Sequence, residues 1–221
     1  MRTPRSMTFG SYFTYATGLW TLTGWELSAA TYKPNLVEIP GSSEPLDLST
    51  ALTDGEPTYS SRTLEATFES SEGTRLAREA RISQMVNALD GYRMNIILPD
   101  DPDHYITGRV SVQRLYNDEA HASVKVTAVC DPWKYSKDET VVMLQATTEE
   151  QTAVLINLGR RGVVPLLEII EGEVLLVYGA ASWALGVGTY ELPDIYLKYG
   201  EHAVTYSGTG TFKFTYREAI L

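Results

Sequence analysis

Alternation with a period of two recurs along the chain and predicts half-buried strands. Thr63–Glu69 sets Leu64, Ala66 and Phe68 on one face, against Thr63, Glu65, Thr67 and Glu69 on the other. Ala122–Cys130 sets Val124, Val126 and Ala128 inward against Ser123, Lys125 and Thr127. Thr211–Arg217 sets Phe212, Phe214 and Tyr216 against Thr211, Lys213, Thr215 and Arg217. Turn signals separate further runs. Asn117-Asp118-Glu119 predicts a hairpin between Gly108–Tyr116 and Ala120–Cys130, and Glu171-Gly172 one between Val163–Ile170 and Glu173–Tyr178. Gly208-Thr209-Gly210 reads as a turn before the last strand. One helix interrupts this pattern. In Arg75–Leu89, the residues Ile82, Met85, Val86 and Leu89 share a face, and Gly91 supplies a stop. Arg75, Arg78 and Arg81 mark another side of that helix, read as a solvated face rather than a salt-bridging one.

The first 60 residues carry Gly and Pro among aromatics and short apolar runs, so strands there are short, and long ordered loops of this kind serve function. Asp131-Pro132-Trp133 ends a strand and Lys134–Thr140 is polar, after which the pattern is almost purely β. The expectation is a mainly β fold with one helix, in two domains: 1–136 and 137–221.

Composition narrows the function. A chain of 221 residues can bury a sizeable core. Net charge is −10, shared evenly: residues 1–136 hold twelve basic and seventeen acidic side chains, and residues 137–221 hold six and eleven. With no basic arm to release counterions from a phosphate backbone, direct nucleic-acid binding is disfavoured. No run approaches the roughly 20 apolar residues of a membrane helix. The basic start Met1–Met7 leads into a polar, aromatic stretch rather than the apolar core of a signal peptide, and Met1 and Met7 both remain as starts. The single Cys130 cannot form an internal disulfide and reads as a small core residue, which fits synthesis in a reducing compartment. Fourteen tyrosines suit sheet faces and interfaces equally.

No catalytic constellation emerges. His104, His121 and His202 lack metal-type spacing, and no hydrolase elbow or phosphate-binding loop is present. Asp100, Asp101, Asp103 and His104 could hold a divalent cation, but Asp and Pro between Ile96–Leu98 and Tyr105–Val110 are what a hairpin turn wants, and the turn is preferred. Glu168, Glu171 and Glu173 could suggest a glycosidase pair; two of them flank a predicted hairpin tip, where solvated charge belongs. Trp20, Trp25, Trp133 and Trp183 are read as core or interface rather than as a sugar-binding platform.

A set of short motifs then carries more. Val37-Glu38-Ile39-Pro40-Gly41 with Leu46-Asp47-Leu48-Ser49 is followed by Tyr59-Ser60-Ser61-Arg62, by Tyr105-Ile106-Thr107-Gly108-Arg109 near the end of a short strand, and by Asp131-Pro132-Trp133-Lys134-Tyr135. Asn157-Leu158-Gly159 and Pro165 stand where the first strands of a second β domain begin, and Leu197–His202 precedes the final strand, with His202 where Asn is usual. In order and spacing, from about Met7 to Leu221, these resemble the distal tail (Dit) proteins of long-tailed siphophages, at the tail-tip hub of phages and prophages. The resemblance implies a structural, non-enzymatic protein without cofactor or metal, assembled as a hexameric ring. An N-terminal ring domain would surround the DNA channel, and a galectin-like β-sandwich would point outward. Partners would be the tail-tube protein, the tail-tip protein and a receptor-binding protein, and the location the virion tail tip, after synthesis in the bacterial cytoplasm. The assembly residues it marks are Leu36, Ile39, Pro40, Gly41, Asp47, Leu48, Tyr59, Arg62, Asp131, Pro132, Trp133 and Tyr135. The alternatives are another tail or baseplate protein, such as a tail-tube subunit, and a carbohydrate-binding host-recognition module.

Overall fold

A computed structural model describes residues 5–51, 53 and 55–221. The basic Met1–Pro4 segment lies outside the described residues. The fold is mainly β. The chain falls into two compact units, Met1–Lys134 and Tyr135–Leu221.

The first unit opens with β1 (Thr8–Phe9), β2 (Tyr12–Phe13), α1 (Thr14–Gly18) and β3 (Thr21–Leu27). A small hairpin, β4 (Leu36–Val37) and β5 (Leu46–Asp47), stands apart as its own two-stranded sheet. Then come β6 (Arg62–Ser70), α2 (Arg75–Leu89), β7 (Arg93–Leu98), β8 (Asp101–Asn117) and β9 (Ala122–Ser136). The main sheet runs in the order β2-β1-β7-β8-β9-β6-β3. Strand β6 pairs antiparallel with β9 from Arg62–Cys130 to Ser70–Ala122, and β3 closes its other side. The alternating residues Leu64, Ala66, Phe68, Val124, Val126 and Ala128 point into one core with Phe9, Trp20, Ile96 and Ile106, as the pattern predicts. Each Val, Leu, Ile or Phe side chain among them contributes about 1.5–3 kcal/mol when fully buried.

Helix α2 spans the predicted residues. Thr74 caps it, its hydroxyl accepting from the Ala77 N–H at 3.2 Å. Ile82, Met85 and Leu89 seal the core. The arginine stripe departs from expectation, because Arg78 is 1% exposed. Its guanidinium donates to the carbonyls of Gly73 (2.6 Å), Asp118 (2.8 Å) and Glu119 (3.0 Å). Arg81 donates to Ser70 Oγ and the Glu72 carbonyl, and Arg75 pairs with Glu119. The stripe is a clasp between the helix start and the β8–β9 turn. The second helix, α1, is five residues long, too short to show a period.

Two further strands outrun their predicted limits. Strand β8 begins at Asp101, so the turn after β7 is only Pro99-Asp100, and Tyr105–Arg109 lies within a long strand rather than near the end of a short one. Strand β9 continues through Asp131-Pro132-Trp133 to Ser136 instead of stopping there. Pro132 is accommodated despite lacking a ladder donor.

The second unit contains β10 (Thr140–Ala146), β11 (Gln151–Asn157), β12 (Leu166–Tyr178), β13 (Ala181–Leu185), β14 (Gly188–Glu191), β15 (Gly200–Tyr216) and β16 (Ala219–Ile220). Its sheet orders β10-β15-β12-β13, with β11 also on β15 and β14 also on β12. Phe212, Phe214 and Tyr216 fill its core with Leu155, Leu167, Ile169 and Leu176.

Here the glycine signals misled. No hairpin forms at Glu171-Gly172 and no turn at Gly208–Gly210. β12 and β15 run past each other without a break, with a register shift between Ile169 and Glu171. The three glycines mark a close approach. A Cβ on Gly172 would lie 1.6 Å from the Thr209 carbonyl oxygen, and one on Gly210 2.0 Å from that of Glu171. Glycine in a strand signals a bulge or close backbone contact as readily as a turn. The three glutamates therefore flank no tip: Glu168 pairs with Lys213 at 2.8 Å, and Glu171 accepts from Thr211 Oγ1 at 2.8 Å. Asn157 ends β11 rather than opening a strand. It is buried, and its amide donates to the carbonyls of Arg161 and Leu197.

Candidate assembly surface

The most unusual surface lies in the first unit. Every residue from Thr31 through Asp47 is exposed, including Leu36 (55%), Val37, Ile39 (46%) and Leu46. The segment is nonetheless built. Ile39-Pro40-Gly41-Ser42 forms a β-turn, with the Ser42 N–H donating to the Ile39 carbonyl at 3.0 Å and Gly41 at φ +85°. Proline at the second position and a positive-φ glycine at the third are what a type II turn requires. At the hairpin's foot, the Leu48 N–H donates to the Asn35 carbonyl and the Asn35 N–H to Ser49 Oγ. The Ser49 hydroxyl and N–H hold the Asp47 carboxyl below its ordinary range.

Aromatic rings tie this arm to the body. Tyr32 bridges to Tyr59, their rings edge to face at 6.4 Å, and Tyr59 meets Trp133 of β9 at 5.4 Å and 79°. The structure thus gathers Leu36, Ile39, Pro40, Gly41, Asp47 and Leu48 in the arm, with Tyr59 and Trp133 at its base. Arg62 opens β6 opposite Cys130, and Asp131 follows on β9, ion-paired with Arg93. Pro132 lies in the same strand. Tyr135 belongs to the second unit and accepts from Arg161 through its hydroxyl. Val37 and Leu46 fall within the sequence motifs but were not marked as assembly residues, and Tyr32 was not singled out at all. Tyr32, next to Lys33-Pro34, offered no periodicity to mark it.

A second feature is a cleft of about 460 Å³ where the inner face of the main sheet ends, lined by Trp25, Leu27, Arg62, Leu98, Asp101 and Lys134, with Glu26 and Asp100 also at its edge. Asp101 accepts from Lys134 Nζ and from His104 Nδ1, both at 2.7 Å. Burial alone would raise its pKa, but these bonds outweigh it and hold the carboxyl below the usual range. So the acidic run of the sequence is a turn plus an ion-paired strand start. No group of three or more His, Cys, Asp or Glu side chains among the described residues is arranged to hold a metal ion. Cys130, buried beside Arg62, has its thiol pushed up to about 11 by desolvation, which leaves it unreactive as a nucleophile. Trp20 is fully buried, and Trp25, Trp133 and Trp183 pack partly.

No protein-family model and no curated protein matches the sequence. Among solved structures, the SPP1 Dit (gp 19.1) protein, presented as a paradigm of the hub adsorption apparatus of phages infecting Gram-positive bacteria, aligns with a TM-score of 0.67 at 16% identity. The alignment covers 96% of this chain and 98% of that one. Two mutants of phosphomannose isomerase from Salmonella typhimurium align at a TM-score of 0.27, with 13% and 12% identity, over 65% of this chain and 50% and 51% of theirs, too distant to bear on function. The chain thus shares the fold of a phage hub protein across both units.

Proposed function

We propose that this protein is a structural subunit of the tail-tip hub of a long-tailed phage, a siphophage or a prophage related to one. It works by assembly and not by catalysis. The observation that carries this is the end-to-end fold match with the SPP1 hub protein, spanning both units. A built but wholly exposed aliphatic arm agrees with it, since exposed apolar surface of this kind marks association sites.

In this reading residues 1–136 form a closed ring, a hexamer, around the DNA channel, and residues 137–221 form a galectin-like domain facing outward. The ring joins the tail-tube protein to the tail-tip protein, and the outer domain holds a receptor-binding protein. Leu36, Ile39, Pro40, Gly41, Asp47 and Leu48 contact the next subunit, with Tyr59, Arg62, Asp131, Pro132, Trp133 and Tyr135 supporting them. A closed ring covers sheet edges that a monomer leaves open. The chain's negative charge keeps passing DNA from sticking.

Native mass spectrometry with negative-stain imaging tests this. The expected species is a six-fold ring of 24.5-kDa subunits. Ile39→Asp, at an exposed position outside the core, should give a folded monomer. A monomeric wild type, or open-ended tubes of the kind a tail-tube subunit builds, overturns the reading.

A further inference from the structure

Arg62 is the first residue of β6, two positions before the buried Leu64, and its guanidinium stands where the sheet's inner face opens. Its Nε donates to the Ser28 carbonyl at 2.7 Å. Its Nη1 is buried without any hydrogen-bond partner, and no carboxylate among the described residues lies within ion-pairing distance. Lys134 is not in this position, because Asp101 already neutralises it. Native proteins rarely leave a buried donor unsatisfied, and a charged one is the most costly to leave so. The walls beside the guanidinium are apolar: Trp25, Leu27 and Leu98. Glu26 and Asp100 stand exposed at the rim and leave the guanidinium unpaired.

The arm has the opposite character. Its tip, Glu38 to Glu44, carries two carboxylates, no cation, and the exposed Ile39 between them. Neither glutamate has an ion-pair partner among the described residues. The arm leaves Arg62 of its own chain unsatisfied.

We propose that the cleft at Arg62 receives the arm tip of a second copy of this chain. A carboxylate of Glu38 or Glu44 supplies the missing acceptor through a charge-assisted, fork-type bond, and Ile39 lies on Leu27 and Leu98. This deepens the hub reading and rests on it. The contact is head-to-tail: one subunit's arm fills the next subunit's cleft. Such a contact closes into a ring when the rotation permits.

Charge reversal with complementation tests it. Arg62→Glu alone and the double variant Glu38→Lys with Glu44→Lys alone should each run as a monomer in native mass spectrometry, with the far-UV circular dichroism of wild type showing that each is folded. Mixed in equal amounts, they should recover the wild-type mass, because an alternating ring has every contact matched. Two monomeric variants that stay monomeric when mixed overturn the proposal, as does an Arg62→Glu protein that assembles like wild type. Should Arg62→Glu fail to fold, the arm variant decides: assembly at wild-type affinity overturns the proposal, and a tenfold or greater weakening supports it. A wild type that never assembles would instead sink the hub reading itself, so the two failures are distinct.

Discussion

Arg78 gives the sharpest test of how the first unit is held together. It lies in the first turn of α2, and its guanidinium satisfies three carbonyls, one from the helix start and two from the β8–β9 turn. Asn117 extends the clasp by donating to the Arg75 carbonyl and to Glu79, which also accepts from Arg114. Hydrogen bonds from a charged donor contribute about 1.5–3 kcal/mol each, and removing one partner strands the others. All three carbonyls lie on exposed residues, where water replaces part of the loss. Arg78→Ala should therefore destabilise the first unit by about 3–5 kcal/mol. At roughly 3–5 °C per kcal/mol for a unit of this size, the melting point should fall by on the order of 10–25 °C. Because two compact units need not unfold together, the assay is urea denaturation followed by tryptophan fluorescence in a Trp183→Phe background. The remaining tryptophans, Trp20, Trp25 and Trp133, then report on the first unit alone. A loss below about 1 kcal/mol would show that the arginine is replaceable by water and the clasp is not structural.

Gly172→Ala should cost more than about 3 kcal/mol or prevent folding of the second unit, since its Cβ meets the Thr209 carbonyl at 1.6 Å and its φ is +77°. Gly24→Ala, with nothing within 4 Å of its Cβ, should stay within about 0.5 kcal/mol of wild type, and equal melting points for the two variants would refute the close-approach reading. For Asp101, the folded pKa lies below the ordinary value, so its stabilisation is present above the unfolded pKa of about 3.9 and is lost as pH falls through the folded value. Asp101→Asn should thus show a constant stability deficit above about pH 5 that narrows below about pH 4. Parallel pH profiles for wild type and variant, measured by denaturant midpoint, would contradict this.

What the sequence made legible follows from the physics of each signal. Strand β6 and the ends of β9 and β15 announced themselves because one face meets core and the other meets solvent, which forces a period of two. Helix α2 was visible for the same reason at a period of 3.6. Glycine was ambiguous: the same lack of a Cβ serves a turn and a close strand crossing, and only the pairing of β12 with β15 tells them apart. Arg78 read as solvated because a charged residue three positions from two other arginines gives no sign that backbone carbonyls from a distant turn enclose it. At the candidate surface, the Ile39-Pro40-Gly41 turn was legible from its chemistry. That the flanking aliphatics lie wholly in solvent was not, because short apolar runs look alike whether they enter a core or await a partner.

The exposed arm and the unsatisfied cleft bear on each other. An aliphatic arm with ordered turns and a capped foot has paid the entropic cost of order without burying apolar area in its own chain. At Arg62 the buried Nη1 has no acceptor, and the bond from Nε to the Ser28 carbonyl does not offset that atom's desolvation penalty. Each is a local deficit in an isolated subunit, and the two are complementary in charge and in apolar character. A single head-to-tail contact would remove both at once. That contact would make the isolated subunit less stable than the assembled one, so the melting point of the wild type should rise with protein concentration. Arg62→Glu should abolish that dependence, whereas a melting point of the wild type that ignores concentration would mean that neither deficit is relieved by self-association.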